Sequence, residues 1–388
     1  LRHSSAASDV YKRQVIASIY IHIPFCRKAC HYCDYHFSTS LKSKDLIIDS
    51  IVNEIHLRSN ELNEDINSIY FGGGTPSLMS EIDNEKIFNA INKKFQVSEK
   101  AEVTMECNPD DINILNIRGW KKNNVNRISL GVQSFFDSDL RLMNRSHDSI
   151  TATNAIELIK EHFGNFSVDL IYGIPESSIY RWKKNIEIVL KYDVPHISTY
   201  VLTVEPKTAL IKLIEKNKVK EVSDINQKQQ FEYAYSQLLK LGYRNYEFSS
   251  FAKPGYECKN NVTYWERGNY LGFGPSAHSF DGFKRKWNIS NNQKYIDKIK
   301  ENSLAYESEI LSETDILNEL IMIGLRTSDG IDLGLIESKF TNLDLQNLKK
   351  QIDLKITDGI LVKNNNKLYP SRDYKFLTDG IASDLFIT

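Results

Sequence analysis

Residues 19–35 read Ile19-Tyr20-Ile21-His22-Ile23-Pro24-Phe25-Cys26-Arg27-Lys28-Ala29-Cys30-His31-Tyr32-Cys33-Asp34-Tyr35. The run opens as the apolar end of a strand. Pro24 stops the ladder, because it has no N–H to donate. Three of the chain's five cysteines follow, spaced C-x3-C-x2-C, on a loop at the strand's C-terminal tip. In parallel α/β folds that end is where ligands bind. Thiolates this close together suit a soft metal, either zinc or an iron–sulfur cluster. Structural zinc wants four ligands, usually as two separated pairs. Here the thiols share one loop, and His22, His31 or His36 would have to supply the fourth. A [4Fe–4S] cube held by three cysteines leaves one iron open to a small molecule. An odd trio cannot pair internally as disulfides.

Outward from the loop, the chain of 388 residues has room for one or two domains. Its 49 basic and 50 acidic residues leave a formal charge of −1, so no electrostatic footprint for nucleic acid is expected. A hydrophobic share of 41% and a charged share of 26% fit an ordinary globular protein. No apolar run predicts a membrane span, and no signal peptide is evident. Clustered thiols without an export signal predict a cytoplasmic protein. Residues 1–14 have no apolar period, resemble translated sequencing-adapter DNA, and are set aside as a non-native tail.

From Ser18, short apolar runs alternate with amphipathic ones. Strands are predicted at 18–24, 67–72, 101–107, 126–133, 166–172 and 196–203, with helices at about 43–60, 83–94, 111–122, 149–162 and 178–191. Repeated βα units predict an α/β fold with a parallel sheet: a partial (β/α)6 TIM-type barrel over 15–205, with a full eight-stranded barrel as the alternative. Residues 206–304 read as an extension covering the barrel mouth, with a helix at 224–241 and one strand within 242–250. Over 305–388, helices at 313–327, 332–339 and 343–357 and a hairpin at 361–369 precede a last helix at about 375–386. That α+β pattern looks winged-helix-like, but it has no concentrated basic stripe for DNA.

Polar residues recur at the predicted strand tips. Gly72-Gly73-Gly74-Thr75 lets backbone pass close to a ligand, though a tight turn would also explain it. Glu106 ends strand three and must face the barrel mouth or solvent. Cys107 beside it reads as a small buried hydrophobe. Gln133 ends strand four, and Arg145 follows downstream as a bidentate partner for a carboxylate. Asp169, flanked by apolar residues on strand five, needs hydrogen bonds to be tolerated.

Taken together, Cys26-x3-Cys30-x2-Cys33 with Tyr32 before the last thiol resembles the signature of the radical S-adenosylmethionine (SAM) family. The wider run Tyr-Ile-His-Ile-Pro-Phe-Cys is similar to the branch that holds oxygen-independent coproporphyrinogen III oxidase and the heme chaperones of the HemW group. The resemblance covers about 19–388. It implies a [4Fe–4S] cluster on Cys26, Cys30 and Cys33, with SAM chelating the open iron and cleaved reductively to a 5′-deoxyadenosyl radical. It implies that Gly73, Gly74 and Thr75 meet the methionine end of SAM. Glu106, Gln133, Arg145 and Asp169 would bind its polar groups, with Tyr20 and Tyr32 flanking it. It also implies a C-terminal module that helps to close the substrate cavity.

Within the branch, the oxidases carry a further cysteine two residues after the trio, where this chain has Tyr35, and a long N-terminal extension. Both features favour a HemW-like heme chaperone. Such a protein would bind heme as well as the cluster and SAM, pass heme to an acceptor protein, and take electrons from a donor. The alternative is an oxidase that converts propionates of a porphyrinogen to vinyls. The HemW group carries His-Asn-x-x-Tyr-Trp with a heme-associated His; here the matching run is Asn260-Asn261-Val262-Thr263-Tyr264-Trp265, with Asn in place of the His. Asparagine is a poor ligand for heme iron. Asn261, Tyr264 and His278 are the candidate heme contacts, and His278 reads either as a substitute ligand or, by preference, as a structural His on a glycine-rich loop. A zinc-stabilised binding protein without redox chemistry is the reading from another class.

Overall fold

The first strand, β1 (Ala17–Ile23), is buried along almost its whole length. Such burial requires cover on both faces, which a parallel sheet with crossover helices provides. The structure, a computed structural model, describes residues 17–221 and 223–387; the tail at 1–14 lies outside the described residues.

β1 pairs in parallel with β2 (Ile66–Gly73), and the series continues through β3 (Val97–Cys107), β4 (Arg127–Gln133), β5 (Phe166–Tyr172) and β6 (His196–Val201). The crossover helices are α1 (Lys44–Leu57), α2 (Glu81–Lys94), α3 (Ile114–Lys122), the short α4 (Asp137–Leu142), α5 (Ser149–His162) and α6 (Ile179–Lys191). Ser80, Asn113, Asp148 and Ser178 cap α2, α3, α5 and α6 by accepting from backbone N–H groups of the first turn. This is the expected partial (β/α)6 barrel. The α4 helix was not foreseen, because six residues are too few to show a helical period.

Residues 206–304 chiefly lengthen the sheet at both edges. After α7 (Ala209–Glu215) and α8 (Asp224–Lys240) come β7 (Arg244–Glu247) and β8 (Ser250–Ala252), and β8 pairs antiparallel with β6. The single strand expected within 242–250 is thus a tight hairpin, turned where Asn245 Nδ2 donates to the carbonyls of Glu247 and Ser250. After α9 (Lys259–Trp265), β9 (Asn269–Phe273) joins β1 in parallel. Then β10 (His278–Phe280), β11 (Lys284–Asn288) and, after α10 (Asn292–Lys300), β12 (Tyr306–Ile310) extend that edge antiparallel. Among the described residues the result is one sheet of 12 strands, six forming the barrel wall.

One buried ion pair ties the new edge to the first helix. Arg58 donates to Glu54 (2.9 Å), the Gly272 carbonyl (2.7 Å) and Ser279 Oγ (2.9 Å). Glu54 in turn accepts from Asn288 Nδ2 (2.7 Å), the Gly274 N–H (2.9 Å) and the Tyr295 hydroxyl (2.6 Å). Every lone pair and proton facing the interior has a partner, which is what makes a buried charge tolerable.

The C-terminal residues build their own core. Ile316, Leu317, Ile321 and Leu325 of α11 (Glu313–Arg326) pack with Leu361, Leu368 and Leu385. Three strands at Ile331–Asp332, Leu361–Asn364 and Lys367–Pro370 form a separate small sheet, and only the last two had been foreseen. Among the described residues, no helix is long and apolar enough to cross a membrane.

Removing one side of the Glu54–Arg58 pair strands the other in the interior. Arg58→Ala should cost about 3–5 kcal/mol in urea unfolding. Amide exchange should rise first along β9–β11; unchanged stability would show that the network is not the tie described.

Candidate cofactor site at the barrel mouth

The cysteine loop is a closed excursion. The Cys26 N–H donates to the Ser38 carbonyl (3.0 Å), and the Ser38 N–H donates back to the Pro24 carbonyl (2.9 Å). From the side, His31 is held by backbone and ring bonds to the Met143 and Leu142 carbonyls, and Asn144 Nδ2 donates to the Ala29 carbonyl (2.7 Å). From above, the Leu210 N–H of α7 donates to the His31 carbonyl (2.8 Å).

The glycines explain themselves by contact. The Gly74 N–H donates to the Ile23 carbonyl (2.9 Å) and the Thr75 N–H to the Phe25 carbonyl (2.7 Å). A Cβ on Gly74 would lie 2.6 Å from the Phe25 oxygen. Gly73 has φ +103°, and a Cβ there would meet the His22 ring at 2.6 Å. Both positions therefore exclude side chains.

Above these glycines lies a hollow of about 430 Å³, lined by Cys26, Cys30, Cys33, Tyr32, Gly73, Gly74, Thr75, Glu106, Gln133, Arg145 and Asp169. Eleven of the twelve residues named above for cluster and SAM are thus brought together. Tyr20 is not on that lining; its ring stacks on Tyr70 at 6.1 Å, behind Gly72. Sequence reasoning missed four neighbours that orient the polar groups. The Tyr70 hydroxyl donates to Glu106 (2.8 Å), and Ser129 Oγ donates to Asp169 (3.1 Å). Asn108 Oδ1 accepts from Arg145 (2.7 Å), and Tyr200 stands at the rim. Alternation along β2 and β4 would have flagged Tyr70 and Ser129, which share a face with Gly72 and Gly131.

Charge is poorly tolerated here. Burial pushes the Cys33 thiol up to about 11, with the neighbouring Cys30 and Cys26 adding to it. Burial likewise raises the Cys26 thiol and the Asp169 carboxyl. Burial raises the Glu106 carboxyl to about 7, the Tyr70 hydrogen bond opposing and the Asp169 charge reinforcing. Arg145 donates to Cys30 Sγ (3.4 Å) and to the Gly131 carbonyl (2.9 Å).

The donor set fits a cluster with a bound small molecule. Among the described residues, no three His, Cys, Asp or Glu groups converge on a single-ion site. Three thiols around one hollow instead suit a cube, in which each binds a different iron. Gln133 Oε1, Arg145 Nε and Asp169 Oδ1 are buried without partners among the described residues, as a polar ligand would require. The histidines weighed for zinc are engaged elsewhere: His22 Nε2 with the His36 carbonyl (2.9 Å), His31 with the Leu142 carbonyl (2.8 Å), and His36 with Asn292 (2.7 Å).

The heme candidates lie apart from that lining. Asn260 is buried on α9, with Oδ1 unpartnered among the described residues. Asn261 Nδ2 donates to the Tyr246 hydroxyl (3.4 Å), and Tyr264 meets Tyr270 edge-on at 4.5 Å. His278 is exposed on β10 and lies over Trp287 of β11. Cys107 and Cys258 are both buried.

A parallel partial barrel with three thiols and orphaned polar groups at its mouth defines a radical SAM protein. The Radical SAM superfamily model matches residues 20–189, and the HemN C-terminal domain model matches 311–373. The heme chaperone HemW of Bacillus subtilis is 34% identical, over 83% of this chain and 86% of its own. That of Lactococcus lactis is 32% identical over 93% of both chains. The solved coproporphyrinogen III oxidase HemN of Escherichia coli shares the fold, with a TM-score of 0.83 at 21% identity, covering 96% of this chain and 90% of its own. The chain belongs to the HemW family of the radical SAM superfamily. Its cofactors are accordingly a [4Fe–4S] cluster and SAM.

Two outcomes follow from the geometry. Gly74→Ala should displace the Phe25–Cys26 backbone and lower iron content after anaerobic reconstitution, whereas Gly164→Ala, in open space, should not. A carboxyl raised on folding binds its proton more tightly when folded, so Glu106 costs stability as pH rises from 4.5 through about 7. In the iron-free chain, the melting temperature of Glu106→Gln should exceed the parent's by more at pH 8 than at pH 5; an equal gap would contradict the assignment.

Proposed function

We propose that this chain is a radical SAM heme chaperone: it binds heme alongside its cluster and SAM, and delivers the heme to an acceptor protein in the cytoplasm. The observation that carries the reading is the gathering of three thiols and several orphaned polar groups in one hollow. It occurs in a chain that aligns with heme chaperone HemW relatives over most of its length.

When bound, the cluster and SAM supply one-electron chemistry that no side chain provides. The protein's part is to hold and orient. Cys26, Cys30 and Cys33 would anchor the iron as thiolates, with Arg145 donating to Cys30 Sγ. Gly73, Gly74 and Thr75 offer backbone groups to the methionine end of SAM. Glu106, oriented by Tyr70, would bind polar groups of SAM. Gln133 and Asp169 take its remaining polar groups, and Tyr32 closes one side. Tyr20 supports this wall from behind through Tyr70. No general base is required of the protein. Asn261 and Tyr264 lie on α9, where they meet Tyr246 and Tyr270. The segment around α7, whose Leu210 N–H bonds the His31 carbonyl, and the C-terminal module would limit access to the mouth, and an electron donor would serve the cluster.

The oxidase alternative rests on fold likeness, which the whole branch shares. Tyr35 stands where those enzymes carry a further cysteine, and the family match lies with the chaperones.

After anaerobic reconstitution, a hemin titration should show a Soret band saturating near one heme per chain, with no decarboxylation of coproporphyrinogen. Absence of heme binding would overturn the chaperone reading. Carbon dioxide release from the porphyrinogen would favour the oxidase.

A further inference from the structure

We propose that Asp111 is a positioning residue for the cluster: through Arg27 it locks the first turn of the cysteine loop against the ends of β2 and β3. Neither residue is on the lining of the hollow. The proposal rests on the cluster assignment above and is independent of heme.

Asp111 sits in the short turn Pro109–Asp111 that follows β3. Its side chain is fully enclosed, with a relative exposure of 0%. An enclosed carboxylate is costly unless it is paired and its oxygens are hydrogen-bonded. Here both oxygens are used. Oδ1 accepts from Arg27 Nη2 (2.6 Å) and Nε (3.0 Å), and Oδ2 accepts from Ser77 Oγ (2.7 Å). The turn is itself held in place. The Asp111 N–H donates to the Asn108 carbonyl (3.0 Å), and the Asp111 carbonyl accepts from Asn116 Nδ2 (2.7 Å).

Arg27 is the other end of the lock. It follows Cys26 directly, and its side chain is 55% exposed. That asymmetry assigns the roles: the carboxylate belongs to the wall, and the loop residue comes to it. Two nitrogens of a planar guanidinium converging on one oxygen fix orientation as well as distance, which a single ammonium does not. The bonds at Ala29 and His31 tie the later part of the loop to residues 142–144. Arg27 ties its start to a different wall.

The same lock reaches the rest of the site. Ser77 Oγ, which donates to Asp111, accepts from the Asn108 N–H (3.3 Å). Asn108 Nδ2 donates to Thr75 Oγ1 (3.4 Å), and its Oδ1 accepts from Arg145 Nη2 (2.7 Å). Arg145 donates in turn to Cys30 Sγ (3.4 Å). Asp111 thus stands at the root of a hydrogen-bonded chain that runs from Arg27, beside Cys26, through both strand tips to Cys30. Outer partners of this kind orient metal ligands, and losing one typically costs about tenfold or more in metal affinity.

The test uses the full chain after anaerobic reconstitution, compared with Arg27→Ala/Asp111→Asn, which removes both charges and strands neither. Iron retention against a chelator and the electron paramagnetic resonance of the reduced cluster, before and after SAM is added, are read beside the urea midpoint of the iron-free chain. The expected result is about tenfold faster loss of iron and an altered response of the spectrum to SAM, with the midpoint close to the parent's. Parent-like iron retention and spectra would overturn the proposal and leave Arg27 and Asp111 as an ion pair of the fold alone. If the midpoint falls as well, Arg27→Lys decides, because it keeps the charge and gives up the converging nitrogens. Iron loss faster than the parent's then supports the positioning role, and parent-like retention overturns it. If the parent chain takes up no iron, the cluster assignment itself fails and this proposal with it.

Discussion

Backbone laid against backbone at the barrel mouth is the constraint on which the rest depends. Residues 73–75 run so close to residues 23–25 that two N–H groups of one strand tip bond the carbonyls of the other. There is no space for a Cβ at Gly74. This contact fixes where the chain leaves β1, and so where Cys26 begins its loop. It also brings the backbone that would meet SAM within reach of the thiols that would hold iron. A single side chain at that point would separate the two halves of the site.

The electrostatics follow from the same enclosure. The mouth is dry enough that Cys26, Cys33, Glu106 and Asp169 are pushed towards their neutral forms. Such a site is poorly satisfied on its own and well satisfied by a cationic cluster and a zwitterionic ligand. The unpartnered atoms of Gln133, Arg145 and Asp169 express the same incompleteness in hydrogen bonds.

A second layer of organisation lies at the sheet's edge. Four strands continue the wall beyond β1, clamped to α1 by the Glu54–Arg58 pair. Their outer face feeds that clamp through Ser279, while their inner face carries His278 and Trp287.

The six barrel strands were legible because each is a short apolar run between helices of clear period. Cys26, Cys30 and Cys33 were legible because their spacing is local, and the glycines because they are consecutive. The late edge strands were not: β9 joins β1 across some 250 residues of sequence, and the exposed β12 shows no apolar alternation. Asn108 looks ordinary in sequence, and even Tyr70 and Ser129, which alternation places on the inner face, become part of a site only through the convergence of separate strands. Sequence alone therefore determined the family, the barrel repeat and the metal-binding chemistry, all of which are written in neighbouring residues. Tertiary structure alone decided which polar groups meet in the hollow and that Asn260 is enclosed. Those are distances between segments far apart in the chain, set by packing rather than by any local pattern.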